Sequence, residues 1–533
     1  MPNDENEHIG STFRRMDMER SIKKQKACDY AEQTIPSLFP REAFTGLDYT
    51  PESEEEQTYP HSSLPARGIT GLAAKLTAGI LPMTNQPFVE IGLRPSDIDA
   101  LQNDPEAKST YARASKLLQD EVYHTLAKSN LRSTFFQHFK RLAVLGDDMI
   151  RQKGSDQFEL HRFDNYVVKR DMKGDVFYAI LRQYAQEHEI PEEIRQRVTD
   201  NNTDSIRRNT GTLYPLYTIM ERKDDGSWDT SQHFSEVKVP DSDKSYTANN
   251  FPFYFSRWSE DAYDNYGSSL VEENYGDLLT AQAVRQSLMD GYSIATMGFV
   301  GVRPGSLTVN MVKNAKNWDP LPVDDRDSLM FIQPQNVNSL TAAETMDQRM
   351  SSEIRRIFHM DVSAELTHDR TTATQVLAAK EELNKATGGL LAAFDASTLK
   401  PIILATIHSL VDEDVFDQEI IDLIEQDEIS IDVKSGVNSI GRESEYQNVL
   451  GFVSEIGQVV PGAAEMISVA DLVRWGSKAR GIPNEIIKTD EQLSEERQAD
   501  LQGQLADQLV EQAPKTGGAI LEQQTQNEGT PRQ

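Results

Sequence analysis

Residues 371–411, TTATQVLAAKEELNKATGGLLAAFDASTLKPIILATIHSLV, read as the longest helix in the chain, and the segments on either side read as attachments to its two ends. Thr372 followed by Gln375 makes a capping box, in which each side chain satisfies a backbone N–H left unpaired by the first turn. Val376, Ala379, Leu383, Ala386, Leu390 and Phe394 recur at spacings of three and four, which sets one apolar stripe along one side. Lys380, Glu381, Glu382 and Lys385 fill much of the remainder. Gly388-Gly389 and Pro401 interrupt the pattern. Proline removes a helical N–H and clashes with the preceding turn, so a bend is expected near Lys400. A long one-faced helix in mid-chain suits a spine, and it equally suits the core of a large α-rich enzyme. Periodicity alone does not separate the two.

The chain of 533 residues is long enough for about two to four domains and a sizeable core, so neither disulfide nor metal is needed for folding. Its single cysteine, Cys28, excludes an intrachain disulfide framework and any Cys-based metal cluster, as in a reducing compartment. The longest charge-free apolar stretch, residues 76–89, is broken by Pro82 and Pro87 and is too short to span a bilayer. The polar opening MPNDENEHIGSTFRRMDMERSIKKQ has no signal-peptide pattern, and the expectation is a soluble cytosolic protein with no membrane partner. Charge is the strongest compositional feature: 54 basic against 85 acidic residues give −31. A conventional nucleic-acid binder is basic. Such acidity confers solubility, or it marks a surface that sits beside DNA without gripping it.

In chain order, residues 6–35 read as a helix ending at Ile35-Pro36, followed by an acidic loop, TPESEEEQTYP. Residues 68–81 form a small-residue apolar helix ended by Pro82, and 88–93 alternate as a strand. Helices are expected over 105–129 and 131–145, the second closed by Gly146. Strand character follows at 147–152, 158–168 and 176–182, then a short helix at 191–198, then a hairpin of 213–222 and 228–237 through Asp225-Gly226. Residues 1–260 are thus α+β, and the chain as a whole is α+β and mainly helical. Helices return from residue 267 and over 340–360, with two strand-like pieces, 299–303 and 307–311, around Pro304-Gly305 between them: helix out, small tip, helix back. Residues 411–432 hold ten acids and no base, which reads as a solvated helix face. Two or three helices continue to about residue 487, and 489–533, with ten glutamines, read as a frayed helix passing into disorder.

No chemistry-bearing motif emerges. GITGLAAKL lacks the Gly-Lys-Ser/Thr of a P-loop, and neither His-Glu-x-x-His, an EF-hand loop nor a Gly-x-Ser-x-Gly elbow is present. The ten histidines lack metal-ligand spacing, and His359 and His368 read as loop and helix-end residues. No catalytic, cofactor-binding or metal-ligating residue is expected.

Taken together, the segments resemble the portal proteins, or head–tail connectors, of short-tailed, podovirus-like double-stranded DNA phages. The likeness is carried by Thr34-Ile35-Pro36-Ser37-Leu38-Phe39-Pro40, Ala66-Arg67-Gly68, Leu72-Ala73, Lys75-Leu76 and Leu81-Pro82-Met83. It continues through Tyr166-Val167-Val168, Arg170-Asp171, Tyr266-Gly267, Ser269, Glu272-Glu273 and Gly276-Asp277-Leu278. Thr372-Ala373, Gly388-Gly389, Pro401, Ser435-Gly436 and Ile440-Gly441-Arg442 complete it, in order along nearly the whole chain.

The resemblance implies a homo-oligomeric ring of twelve copies around a DNA channel at one capsid vertex, assembled in the host cytoplasm. Residues 1–267 would be the wing, 268–293 and 339–360 the stem helices, and 294–338 the clip. Residues 361–370 would be the tunnel loop, 371–432 the spine helix with its acidic wing segment, 433–488 the crown, and 489–533 the tail. DNA-channel candidates are Arg285, His368, Asp369, Arg370 and Lys380; clip candidates for docking the packaging terminase and then the tail adaptor and nozzle proteins are Arg303, Lys313, Lys316, Trp318 and Arg326. Major capsid and scaffolding proteins are the other implied partners. An acidic lining would spare sliding DNA the counterion-release gain that traps it on lysine and arginine. Two other classes stay open: a capsid-assembly scaffold or chaperone, and a large acidic enzyme with a nonlocal active site.

Overall fold

The computed structural model describes residues 8–34, 61–81, 89–93, 105–200, 205–208, 211–260, 263–296, 299–302, 329–332, 337–360, 387–413, 415–416, 421 and 429–433, with isolated positions beyond. The chain divides into two compact units, Met1–Val437 and Asn438–Gln533. Helix and strand are mixed in the first. Its helices are α1 (Ile9–Thr34), α2 (Leu64–Ile80), α3 (Pro105–Lys128), α4 (Leu131–Leu145), α5 (Glu192–Asp200), α6 (Leu270–Glu273), α7 (Tyr275–Thr296), α8 (Val337–Ile357) and α9 (Thr387–Asp412).

The largest sheet is antiparallel and holds β4 (Tyr166–Arg170), β5 (Val176–Gln186), β6 (Ile206–Arg208), β7 (Gly211–Arg222), β8 (Trp228–Phe234), β9 (Val237–Lys238) and β10 (Lys244–Tyr246). Its main path runs β10-β8-β7-β5-β4, with β6 on β7 and β9 on β8. The turns are where the sequence places them. Gly174 and Gly226 take positive φ, +91° and +85°, between β4 and β5 and between β7 and β8. A second sheet orders β11 (Phe253–Arg257), β2 (Asp147–Lys153) and β3 (Gln157–Leu160), again antiparallel.

The core gathers around α4, whose Leu131, Phe135, Phe139, Leu142 and Leu145 are buried. Phe394 of α9 lands on that face, 5.1 Å from the Phe135 ring and 4.9 Å from that of Phe139, so the described part of the long helix is a core element. Thr398 meets Ser256 of β11 at 2.8 Å, and Gln152 of β2 donates to Thr406 at 3.0 Å. The interruption expected near Lys400 takes the form of a π turn over Asp395–Leu399, in which the Lys400 N–H bonds the carbonyl of Asp395 five residues back. Pro401 explains it: the proline lacks the N–H that would bond Ser397, and widening the preceding turn relieves the clash of its ring. Helix α9 is long and apolar enough to cross a membrane, yet half of its most apolar window is buried inside the protein, with Leu399, Ile402, Ile403 and Ile407 in the core. The first part of the 371–411 stretch, with its capping box, lies outside the described residues.

Two expectations are corrected. The acidic segment 411–432 does not end as a helix: α9 stops at Asp412, and residues 429–433 form β14 (Ile429–Val433), which pairs antiparallel with β1 (Val89–Leu93), Ile431 opposite Ile91. The alternating β-branched residues of Ile-Ser-Ile-Asp-Val outweigh the like-charge run before them. The helix from residue 267 is broken at Asn274: the Ser269–Glu272 capping box starts α6, and the Asn274 side chain donates to the Leu270 carbonyl, ending it after one turn. The tip strand β12 (Phe299–Val302) pairs antiparallel with β13 (Leu329–Ile332), and the expected second strand, 307–311, lies outside the described residues.

Candidate conduit helices and their anchor

Helices α7 and α8 run antiparallel: Arg285 of α7 meets Asp347 and Ser351 of α8, while Tyr292, further along α7, meets Glu344, earlier in α8. The clasp is bidentate. Arg285 donates through Nε at 2.9 Å and Nη2 at 2.6 Å to the two Asp347 oxygens, and its Nη1 reaches the Ser62 hydroxyl at 3.0 Å. The fork geometry of guanidinium and carboxylate fixes register as well as attraction. Beneath it Leu278, Ala281 and Ile354 are buried, and the space left between them and Tyr30 is about 10 Å³, room for one water at most. Helix α8 is held from behind by α2. A Cβ on Gly68 would stand 2.7 Å from the buried Phe358 ring, so glycine is what permits this approach, and Lys75 donates to the His359 carbonyl at 2.6 Å.

The base of α7 is anchored in a buried polar hub. Gly146 ends α4 in the left-handed region, φ +80°, and a Cβ there would fall 2.5 Å from the Gly267 carbonyl oxygen. Gly267 is equally confined, since its own Cβ would meet the Ser259 carbonyl at 2.4 Å. The Gly267 N–H donates to Asp147 Oδ1 at 3.2 Å, and its carbonyl accepts from Lys24 Nζ. Lys24, 3% exposed, also reaches Glu272 at 2.9 Å and stands 3.6 Å from Asp147. Burial pushes the Asp147 carboxyl up to about 6, with Lys24 pulling in the opposite direction. One lysine from α1 thus ties the end of α4, the start of β2 and the entry to α6. Beside the hub, Tyr266 OH accepts from the Val168 N–H at 3.3 Å, and burial pushes its phenol above the ordinary range. Fully buried His138 and Asp148 pair at 2.9 Å under Phe139 and Phe394. Burial holds His161 low, at about 4, hence neutral near pH 7.

Of the residues singled out from sequence for the channel, Arg285 is described, and its charge is spent on Asp347 inside the helix pair. His368, Asp369, Arg370 and Lys380 lie outside the described residues, as do Arg303, Lys313, Lys316, Trp318 and Arg326. Glu272 faces Lys24, whereas Glu273, Asp277 and Asp290 are exposed. Sequence reading missed the opposite charge on the second helix: Arg349, Arg355 and Arg356 are all exposed on α8. The i,i+7 spacing of Arg349 and Arg356 was the available signal. Whole-chain acidity concealed it.

Residues 6–487 match the family described as the bacteriophage head to tail connecting proteins, and the chain belongs to that family. Its function is that of a portal, the head-to-tail connector of a phage-type particle. It is 22% identical to the portal protein of Enterobacteria phage T3 over 517 residues, covering 96% of this chain and 92% of that protein. The portal protein of Escherichia phage T7 gives 22% over 520 residues with the same coverages, and that of Enterobacteria phage SP6 gives 20% over 525, covering 97% and 96%. Among solved structures, a chain of the virion of a native gene transfer agent particle aligns with TM-score 0.39 and 12% identity, over 78% of this chain and 90% of that one. The neck of such a particle, computed with C12 symmetry, aligns at TM-score 0.35 and 12% identity, with the same coverages.

Proposed function

We propose that twelve copies of this chain close into a ring at one capsid vertex and form the conduit through which double-stranded DNA is packaged, retained and ejected. The observation that carries the reading is the antiparallel α7–α8 pair, clasped by Arg285–Asp347 and rooted in the Lys24 hub, within a chain of the connector family. Such a pair is a stiff post. In this reading residues 268–293 and 339–360 are the stem, 294–338 the clip, 361–370 the tunnel loop, 371–432 the spine and its acidic extension, and 433–488 the crown, with 1–267 as the wing. The protein is a virion component assembled in the host cytoplasm with major capsid and scaffolding proteins. Its clip receives a separate packaging ATPase and later the tail proteins, so the portal itself is passive. Arg370 and Lys380 in the bore, and Arg303, Lys313, Lys316, Trp318 and Arg326 at the clip, are the proposed contacts.

The DNA passes without tight binding. Each subunit carries −31, and repulsion of phosphates extends about 8 Å at physiological salt, enough to hold a duplex off the wall of a somewhat wider bore. Electron micrographs of the purified chain should show rings with an axial hole, and a monomer at every concentration refutes the proposal. Linear duplex should bind these rings weakly and with little dependence on salt. Tight binding that falls steeply with salt would mean a cationic bore and overturns the account of sliding.

A further inference from the structure

The hub at the root of α7 sets one ammonium against two carboxylates. Lys24 of α1 stands 2.9 Å from Glu272 of α6 and 3.6 Å from Asp147 of β2, and it also donates to the Gly267 carbonyl. Asp147 is the less satisfied acid. Its Oδ1 accepts from the Gly267 N–H at 3.2 Å, whereas Oδ2 is buried with no hydrogen-bond partner among the described residues. A buried carboxylate oxygen without a donor is costly, and a proton removes the cost in place by removing the charge. The surrounding groups leave Asp147 in that position. Arg170 of β4 and Arg257 of β11 oppose its protonation, and both donate to backbone carbonyls, those of Gly174, Asp264 and Asn265. Asp148, next along β2, is held by His138 at 2.9 Å and stands 3.7 Å from Arg141. Tyr166 and Tyr266 also feel the Asp147 charge, but burial pushes both phenols up, so they keep their protons from pH 5 to pH 8.

We propose that Asp147 is a proton-binding latch at the joint between wing and stem: on taking up a proton it yields Lys24 to Glu272, and the root of the stem is held closed more firmly than when the carboxylate is charged. The stem assignment rests on the ring proposed above, whereas the latch lies within one chain. Opening the joint lets water reach Asp147, and water favours the charged form, so opening releases the proton that the closed joint holds. Burial raises the carboxyl from 3.8 to about 6 in the closed joint, with Lys24 pulling the other way. A group that binds its proton more tightly in the closed state favours closure fully below its ordinary value and loses that effect as pH rises through the raised one. The joint therefore opens more readily at pH 8 than at pH 5, and most of the change falls below pH 6. The device needs no movement larger than the step of one ammonium between two carboxylates that already flank it.

Native-state amide exchange of the full-length chain reads the joint through Glu273, whose N–H bonds the Ser269 carbonyl at 3.0 Å, and Leu278, whose N–H bonds that of Asn274 at 3.1 Å. After correction for the pH dependence of unprotected amides, protection at both should rise about tenfold from pH 8 to pH 5, the change that values of 3.8 in the open joint and about 6 in the closed one require. Asp147→Asn cannot ionise and should give a flat profile, with circular dichroism to establish that it is folded. If it does not fold, Lys24→Met takes its place: without the ammonium Asp147 keeps its proton to higher pH, so the rise should begin above pH 6. A flat profile in the unaltered chain overturns the inference. An Asp147→Asn profile that still rises overturns it too, because another group then binds the proton, as does a Lys24→Met profile that rises at the same pH as the unaltered one. Absence of rings in electron micrographs removes the stem reading, a result separate from the exchange profile, which is measured within one chain.

Discussion

Replacing Lys24 with methionine tests whether the buried hub roots the conduit helices. Methionine keeps most of the length and apolar volume of the side chain and removes the ammonium. Three groups then lose their donor at once: the Gly267 carbonyl, Glu272 and Asp147, of which Asp147 is 3% and Glu272 15% exposed. Removing one partner of a buried ion pair costs about 3–5 kcal/mol, because the remaining charge stays desolvated. Glu272 retains the Ser269 N–H at 2.8 Å, and Asp147 retains the Gly267 N–H, which places the loss toward the lower end. The assay is denaturant unfolding followed by near-ultraviolet circular dichroism at fixed protein concentration, from pH 8 to pH 5. Asp147 sets the pH dependence. It already binds its proton more tightly in the folded chain, about 6, than the ordinary 3.8, and losing Lys24 raises it further. A folded pKa above the unfolded one contributes stability as pH falls through the folded value, so the deficit of the variant should be largest at pH 8 and shrink toward pH 5. A loss below about 1 kcal/mol at pH 8, or one that does not change over this range, refutes the reasoning.

Other substitutions follow from the same geometry. Gly146→Ala combines a left-handed φ with a Cβ 2.5 Å from the Gly267 carbonyl, so it should lower stability by more than the roughly 1 kcal/mol that the backbone conformation alone costs; a neutral result in denaturant titration would mean that the two backbones separate freely. Gly68→Ala places a methyl 2.7 Å from the Phe358 ring and should loosen α8 from α2 at a cost of about 1–3 kcal/mol, read as faster amide exchange at Phe358; unchanged exchange would mean that the ring moves aside without strain. Arg285→Ala leaves Asp347 without its bidentate partner at a site about a quarter exposed, so a loss of about 1–2 kcal/mol is expected, and Asp347→Ala should add little to it in a double-mutant cycle; fully additive effects would mean that the two side chains do not act as a pair.

Periodicity and turn chemistry determined most of the elements by themselves. The helix boundaries at Leu131–Leu145, the turns at Gly174 and Gly226, and the helix–tip–helix order of α7, β12–β13 and α8 follow from local rules of spacing and backbone conformation, which operate within a few residues. The family was legible for a related reason: its marks, such as Tyr266-Gly267, Ser269 and Glu272, are collinear and survive in one dimension. Why those residues stand there was not legible. Gly267 needs to be glycine because the Ser259 carbonyl, eight residues back, and Gly146, more than a hundred residues away, crowd it, and Glu272 faces a lysine more than two hundred residues away. Pairing and charge were likewise decided in three dimensions. Strand β14 found its partner across more than three hundred residues, Arg285 proved to be neutralised by Asp347, and the arginines of α8 emerged as a separate face within a strongly acidic chain. A sequence displays its net charge and its local periods, whereas the side of a helix on which a charge stands free depends on what packs against the other side.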